Sequence, residues 1–166
     1  EAVFNIWQGR IHGCRWLDLC AGGGAMGAEA LCRGASLVVG IEQSTRACAV
    51  IRQNWEKVAR PEQQFRVIKG NVTQQLKALA GQTFDHIYFD PPYNSELYDP
   101  VMQAIADYNL LSPNGELAVE HSPDRSHLPL PPTLTLYRQK IYGGTAVSFY
   151  SRSPIGWGGG ESENSP

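Results

Sequence analysis

A chain of 166 residues, 42% hydrophobic and 18% charged, has the size and make-up of one globular domain that buries roughly 70% of its unfolded surface. Its net charge of −2 excludes a whole-molecule attraction to nucleic acid or an anionic membrane. No apolar run approaches the roughly 20 residues of a membrane span, and Cys14, Cys20, Cys32 and Cys48 form no CxxC pair of the kind that metal sites and disulfide scaffolds use.

The chain opens on EAVFNIW, without a methionine, in what reads as the middle of an amphipathic helix carrying Val3, Ile6 and Trp7. We expect a piece of a longer protein with an upstream arm. Residues 14–20 read as a strand, followed by the glycine-rich AGGGAMG and the helix-forming AEALCR. A second strand over 36–42 ends on an acid, Glu42. Ser44 then caps a helix whose apolar face is Ala47, Val50, Ile51, Trp55 and Val58. A third strand over 64–70 precedes the short helix TQQLKALA, and a fourth runs over 86–90. ELYDPVMQAIADY forms another helix and 114–121 a fifth strand. After the proline-rich SPDRSHLPLPP, the runs TLTLYRQKIY and TAVSFYSR flank Gly143 and Gly144, a hairpin signal. Residues 153–166 lack the apolar content to fold and read as a disordered tail, leaving one domain over 1–152.

Strand–helix alternation of this kind predicts a doubly wound α/β fold, a mostly parallel seven-stranded sheet with a C-terminal antiparallel hairpin, Rossmann-like in class. Ligands in such folds bind at the carboxyl ends of the strands. Asp18, Glu42, Asn71 and Asp90 all fall at such ends.

LDLCAGGGAMG sits at the first strand-to-helix junction. Gly22, Gly23 and Gly24 let the backbone approach a ligand at a helix N-terminus, and Glu42 ends the next strand where an acid reaches a ribose diol. A plain tight turn with a solvated glutamate is the alternative. Dinucleotide enzymes carry G-x-G-x-x-G here. In this chain Asp18 stands four residues before Gly22, where it would repel a pyrophosphate but suits an ammonium or a sulfonium. That points to S-adenosylmethionine, with Asn71 placed either for the adenine edge or as a helix cap.

Asp90-Pro91-Pro92-Tyr93 ends the fourth strand. Alone it could be a strand terminator with a partly buried tyrosine. Beside a sulfonium site it fits methylation of an exocyclic nucleobase amine, whose lone pair is delocalised into the ring. The Asp90 carboxylate and the Pro91 carbonyl, held rigid by Pro92, are acceptors for the two N–H groups. Tyr93 offers a flat face to an extruded base.

LDLCAGGGAMGAEALCRGA followed by DPPY resembles the class I S-adenosylmethionine-dependent amino-methyltransferases. The flanking EAVFNIW and LYRQKIYGGTAVSFY are similar to those of the bacterial 16S ribosomal RNA guanine-N2 methyltransferases of the RsmD type, a likeness covering 1–152. It implies methyl transfer to the N2 amine of a guanine in 16S rRNA, within an assembling small subunit, by a cytoplasmic or organellar-stroma monomer with no metal. It also implies Asp18, Cys20, Ala21, Gly22 and Gly24 along the methionine part of the cofactor, and Glu42 on the ribose. Gln43, Asn71 and Val72 would hold the adenine, and Asp90, Pro91, Pro92 and Tyr93 the target amine. Family members also carry a basic segment before EA-FN that this chain lacks. A DNA adenine-N6 methyltransferase would need further chain for target recognition, and a dehydrogenase binding NAD is disfavoured by Asp18. A non-catalytic RNA-binding module has no use for both motifs.

Overall fold

Each stretch read as a strand or helix takes that form in the computed structural model, which describes residues 2–92, 94–125 and 127–153. In chain order these are α1 (Ala2–Ile6), β1 (Arg15–Leu19), α2 (Ala25–Cys32), β2 (Leu37–Glu42), α3 (Thr45–Val58) and β3 (Gln64–Lys69). There follow α4 (Val72–Ala78), β4 (Phe84–Phe89), α5 (Tyr98–Asp107), β5 (Leu111–His121), β6 (Leu134–Tyr142) and β7 (Thr145–Arg152). The sheet order is β3-β2-β1-β4-β5-β7-β6. Strands β1 to β5 pair in parallel, and β7 pairs antiparallel with both β5 and β6. The expected doubly wound sheet with a terminal hairpin is what forms.

Successive β1 residues feed opposite cores, as the period of two requires. Trp16 joins Phe4, Trp7, Ile51 and Trp55 on one face. Leu17 and Leu19 join Ile41, Leu76, Phe89 and Met102 on the other. Helix α1 is only five residues long, so packing rather than propensity holds it. The Phe4 ring stacks on Trp16 at 5.3 Å, and the Trp7 indole N–H donates to Glu116 Oε2 at 2.5 Å.

Several sequence expectations shift. The buried stripe of α3 is Cys48, Ile51 and Trp55, and Val50 is 43% exposed. Spacings of three and four keep the first three on one face, whereas Val50 points away from it. Strand β4 stops at Phe89, one residue short of Asp90. Strand β5 starts earlier than expected, across a register shift opposite Phe84 and His86 that accommodates Pro113. Strand β7 enters the sheet between β5 and β6, which leaves β6 as the exposed edge. Ser153, assigned to the tail, donates its N–H to the Thr133 carbonyl at 2.8 Å. The rest of that tail, 154–166, lies outside the described residues.

Candidate active site

The carboxyl ends of β1, β2, β3 and β4 meet around a cavity of about 860 Å³, a volume typical of small-molecule sites. Its wall takes Cys20 and Gly22 from the first turn, Glu42 and Gln43 from the end of β2, and Asn71 and Val72 from the start of α4. Asp90, Pro91 and Pro92 join it from the end of β4. The β1–β4 junction is where the strand order reverses, the position at which this architecture opens a crevice. Tyr93 lies outside the described residues.

Asp18, Ala21 and Gly24 stand outside that wall. Asp18 is 2% exposed, and its Oδ2 accepts the Gly27 N–H at 3.1 Å. Burial pushes its carboxyl well above the usual range; the Gly27 bond opposes this, and the charges of Asp90 and Glu42 reinforce it. It therefore ties β1 to the first turn of α2 and acts on the cavity through that turn. The Ala21 N–H donates to the Ile41 carbonyl at 3.3 Å, and its carbonyl accepts the Gly24 N–H at 2.8 Å.

The glycines divide into two groups. Gly22 is left-handed at φ 56, and a Cβ on Gly22 or Gly23 would meet nothing within 4 Å, so their faces are open. Gly24, Gly27 and Gly40 instead make room for Trp55, where an added Cβ would approach the indole to 2.9, 2.3 and 2.6 Å respectively. The Asn54 side-chain amide donates to the Gly23 carbonyl at 3.0 Å. Helix α3 thus supports the turn from below.

Glu42 braces the other wall. Its Oε2 accepts the Gly22 N–H at 3.0 Å, and its Oε1 accepts the Ser44 N–H at 3.2 Å. Asn71 Oδ1 caps α4, accepting from Thr73 at 3.0 Å and Gln74 at 3.3 Å, which leaves its amide N–H groups as donors. Cys20 is left-handed at φ 59, an uncommon conformation for a residue with a Cβ. Burial pushes its thiol up to about 12, and Glu42, Asp18 and Asp90 all add to the rise. Glu42 is the first of the charges acting on this point in the cavity, after burial itself. The thiol is no nucleophile there, and the field suits a cation such as a sulfonium.

Asp90 is exposed at the mouth, yet partial burial of its carboxyl raises its pKa. The loop beyond it is self-braced. Pro92 carbonyl accepts the Ser95 N–H at 2.8 Å, and Ser95 Oγ accepts the Leu97 N–H at 3.0 Å. Ile41, Ser44, Gly70 and Leu97 also line the cavity; of these the sequence singled out Ser44 alone, and that as a helix cap. The one readable signal among the other three is Leu97, an apolar residue in a polar loop directly before a helix.

The family described as Conserved hypothetical protein 95 matches residues 1–151. Ribosomal RNA small subunit methyltransferase D of Haemophilus influenzae is 30% identical, over 90% of this chain and 78% of that relative. A solved structure of a conserved hypothetical protein from Streptococcus pyogenes superposes with a TM-score of 0.80 at 31% identity, over 92% of this chain and 94% of that one. SMU.776, solved as a complex with SAH, shares the fold at 15% identity and a TM-score of 0.67, over 89% of this chain and 47% of its own.

Proposed function

We propose that this chain, which belongs to the family described as Conserved hypothetical protein 95, methylates the exocyclic N2 amine of a guanine in 16S ribosomal RNA. Its class is that of the S-adenosylmethionine-dependent methyltransferases acting on ribosomal RNA, S-adenosylmethionine being the methyl donor. The guanine, the N2 position and the extrusion of the base are our reading. One observation carries it: Asp90 and Pro91 stand in the same cavity wall as Gly22 and Glu42, so an amine held by the first pair faces a donor held by the second.

The residues fit that donor. The open faces of Gly22 and Gly23 receive its amino-acid arm, and Glu42 accepts from its ribose hydroxyls. Asn71 and Gln43 line the same cavity and are our candidates for reading the adenine edge, and the Glu42 charge beside Cys20 suits its positive sulfur. When bound, S-adenosylmethionine supplies an already activated methyl group, and direct displacement then needs no enzyme-bound intermediate.

The chain's own work is done on the amine. Asp90 accepts one N–H and the Pro91 carbonyl the other. Two acceptors favour a pyramidal nitrogen and stabilise the positive charge developing on it. The raised pKa of Asp90 also suits it to receive the proton that the amine then loses. Pro91 and Pro92 limit relaxation of that backbone. A base reaches this corner only by leaving its stack, and Tyr93 is our candidate for the ring that receives it. We place the reaction on assembling small subunits, with the protein acting as a monomer in the cytoplasm or an organellar stroma.

Incubation of the purified protein with labelled S-adenosylmethionine and unmethylated small subunits, followed by nuclease digestion and mass spectrometry, tests this. N2-methylguanosine at one 16S position is expected. Label on adenine, or on no nucleotide at all, would overturn the reading.

A further inference from the structure

The loop after β5 holds a cation that the transfer chemistry leaves unused. Arg125 closes a turn, its N–H donating to the Ser122 carbonyl at 3.1 Å, while Ser122 Oγ accepts the Asp124 N–H at 3.3 Å. The guanidinium carbon lies 4.0 Å from the centroid of the Tyr98 ring. That ring is fully buried, meets Phe89 at 5.7 Å, and its hydroxyl donates to the Glu120 carbonyl at 3.0 Å. Phe89 directly precedes Asp90, and Leu97 of the cavity wall directly precedes Tyr98. Arg125 is therefore seated on a ring gripped by both ends of the diproline loop.

No described residue pairs with its charge. Among the described residues, the ion pairs are Arg10–Glu116 and Arg33–Glu29, and Arg125 Nε is buried without a hydrogen-bond partner. Asp124 beside it is exposed. A half-buried guanidinium lacking a counter-ion is costly. A guanidinium lying on a ring keeps its edge N–H groups in a fork that matches two phosphate oxygens. In a chain of net charge −2, capture of a polyanion depends on individually placed cations of this kind.

We propose that Arg125 is a positioning residue that grips an RNA phosphate next to the extruded nucleotide and so sets the target base against Asp90. This rests on the RNA reading above. Binding of the full chain to a 16S rRNA transcript, measured between about 50 and 200 mM potassium chloride, is the test. Arg125→Gln is expected to raise KM for the transcript about tenfold with kcat and S-adenosylmethionine affinity within about twofold. It should also make the slope of log affinity against log salt less negative by about 0.7 to 1. Arg125→Lys keeps a point charge and should restore the slope while KM stays intermediate. An Arg125→Gln protein with the full wild-type slope, or one changed only in melting temperature, overturns the proposal while leaving the methyltransferase reading intact. Failure of the wild-type chain to bind either the transcript or unmethylated small subunits would remove both.

Discussion

The Trp55 indole N–H donates to the Gly24 carbonyl at 2.7 Å, across 31 residues of sequence. The glycine-rich turn at the cavity thus rests on a tryptophan in the core, and Gly24, Gly27 and Gly40 all border that side chain. Gly22 lines the cavity, Gly23 beside it is open, and the other three face the protein.

That division predicts opposite outcomes for neighbouring substitutions. Gly27→Ala would bring a Cβ within 2.3 Å of Trp55 Cζ2 and should cost about 1–3 kcal/mol or more. Gly23→Ala meets nothing within 4 Å and should change stability by no more than about 0.5 kcal/mol, its effect falling on S-adenosylmethionine affinity. Urea denaturation of both variants separates the two roles. Equal losses would contradict them.

Asp18 makes stability depend on pH. Its folded pKa is raised, so the unfolded chain gives up this proton first. The wild-type protein accordingly loses stability as pH climbs from the ordinary carboxylate value, about 3.9, through the folded one. Asp18→Asn does not titrate and can still offer an oxygen to the Gly27 N–H. The variant should gain on wild type as pH climbs above about 4, read from denaturation midpoints. A difference that stays flat with pH would contradict the burial of a titrating acid there.

For Asp90, loss of one preorganised acceptor should lower kcat by about 10²–10³ in Asp90→Ala, with S-adenosylmethionine binding little changed in calorimetry. The active form is the carboxylate and its pKa is raised. The acid limb of kcat/KM should therefore lie above the ordinary value of about 3.9, activity rising with pH to a plateau. An undiminished rate in Asp90→Ala would end the catalytic assignment.

Glu42→Gln keeps an acceptor for only one of the Gly22 and Ser44 N–H groups, which bond different oxygens of the carboxylate, and loses the charge toward the ribose hydroxyls. S-adenosylmethionine affinity should fall about tenfold, with stability within about 1 kcal/mol of wild type. Unchanged affinity in calorimetry would move the ribose elsewhere.

Cysteine reactivity reports the state of the cavity. Cys20 and Cys14 are both pushed up to about 12, chiefly by burial, and Cys48 is buried, while Cys32 is exposed. Iodoacetamide near pH 8 should modify Cys32 first, as peptide mass spectrometry would register. Early alkylation of Cys20 would argue against its burial in the cavity wall.

Much of the fold was legible because its signals are local. Alternation of apolar runs located the strands, Ser44 marked the start of α3, and Gly143 with Gly144 marked the hairpin. Val50 misled, since an apolar residue near the stripe of an amphipathic helix is invisible as an outward one until neighbours are known. Likewise Asn71 was readable both as a cap and as a ligand for adenine; the structure assigns its oxygen to the cap and leaves the amide end free for the other role.

The sequence by itself determined the order of elements, the glycine turn, the acid at the end of β2 and the diproline corner, because turn chemistry and side-chain period depend on residues adjacent in the chain. Only the tertiary structure decided that Asp18 turns inward to Gly27, that β7 slips between β5 and β6, and that Arg125 lies on Tyr98. Those depend on distances between residues brought together by the packing of both faces of the sheet, and no local pattern encodes them.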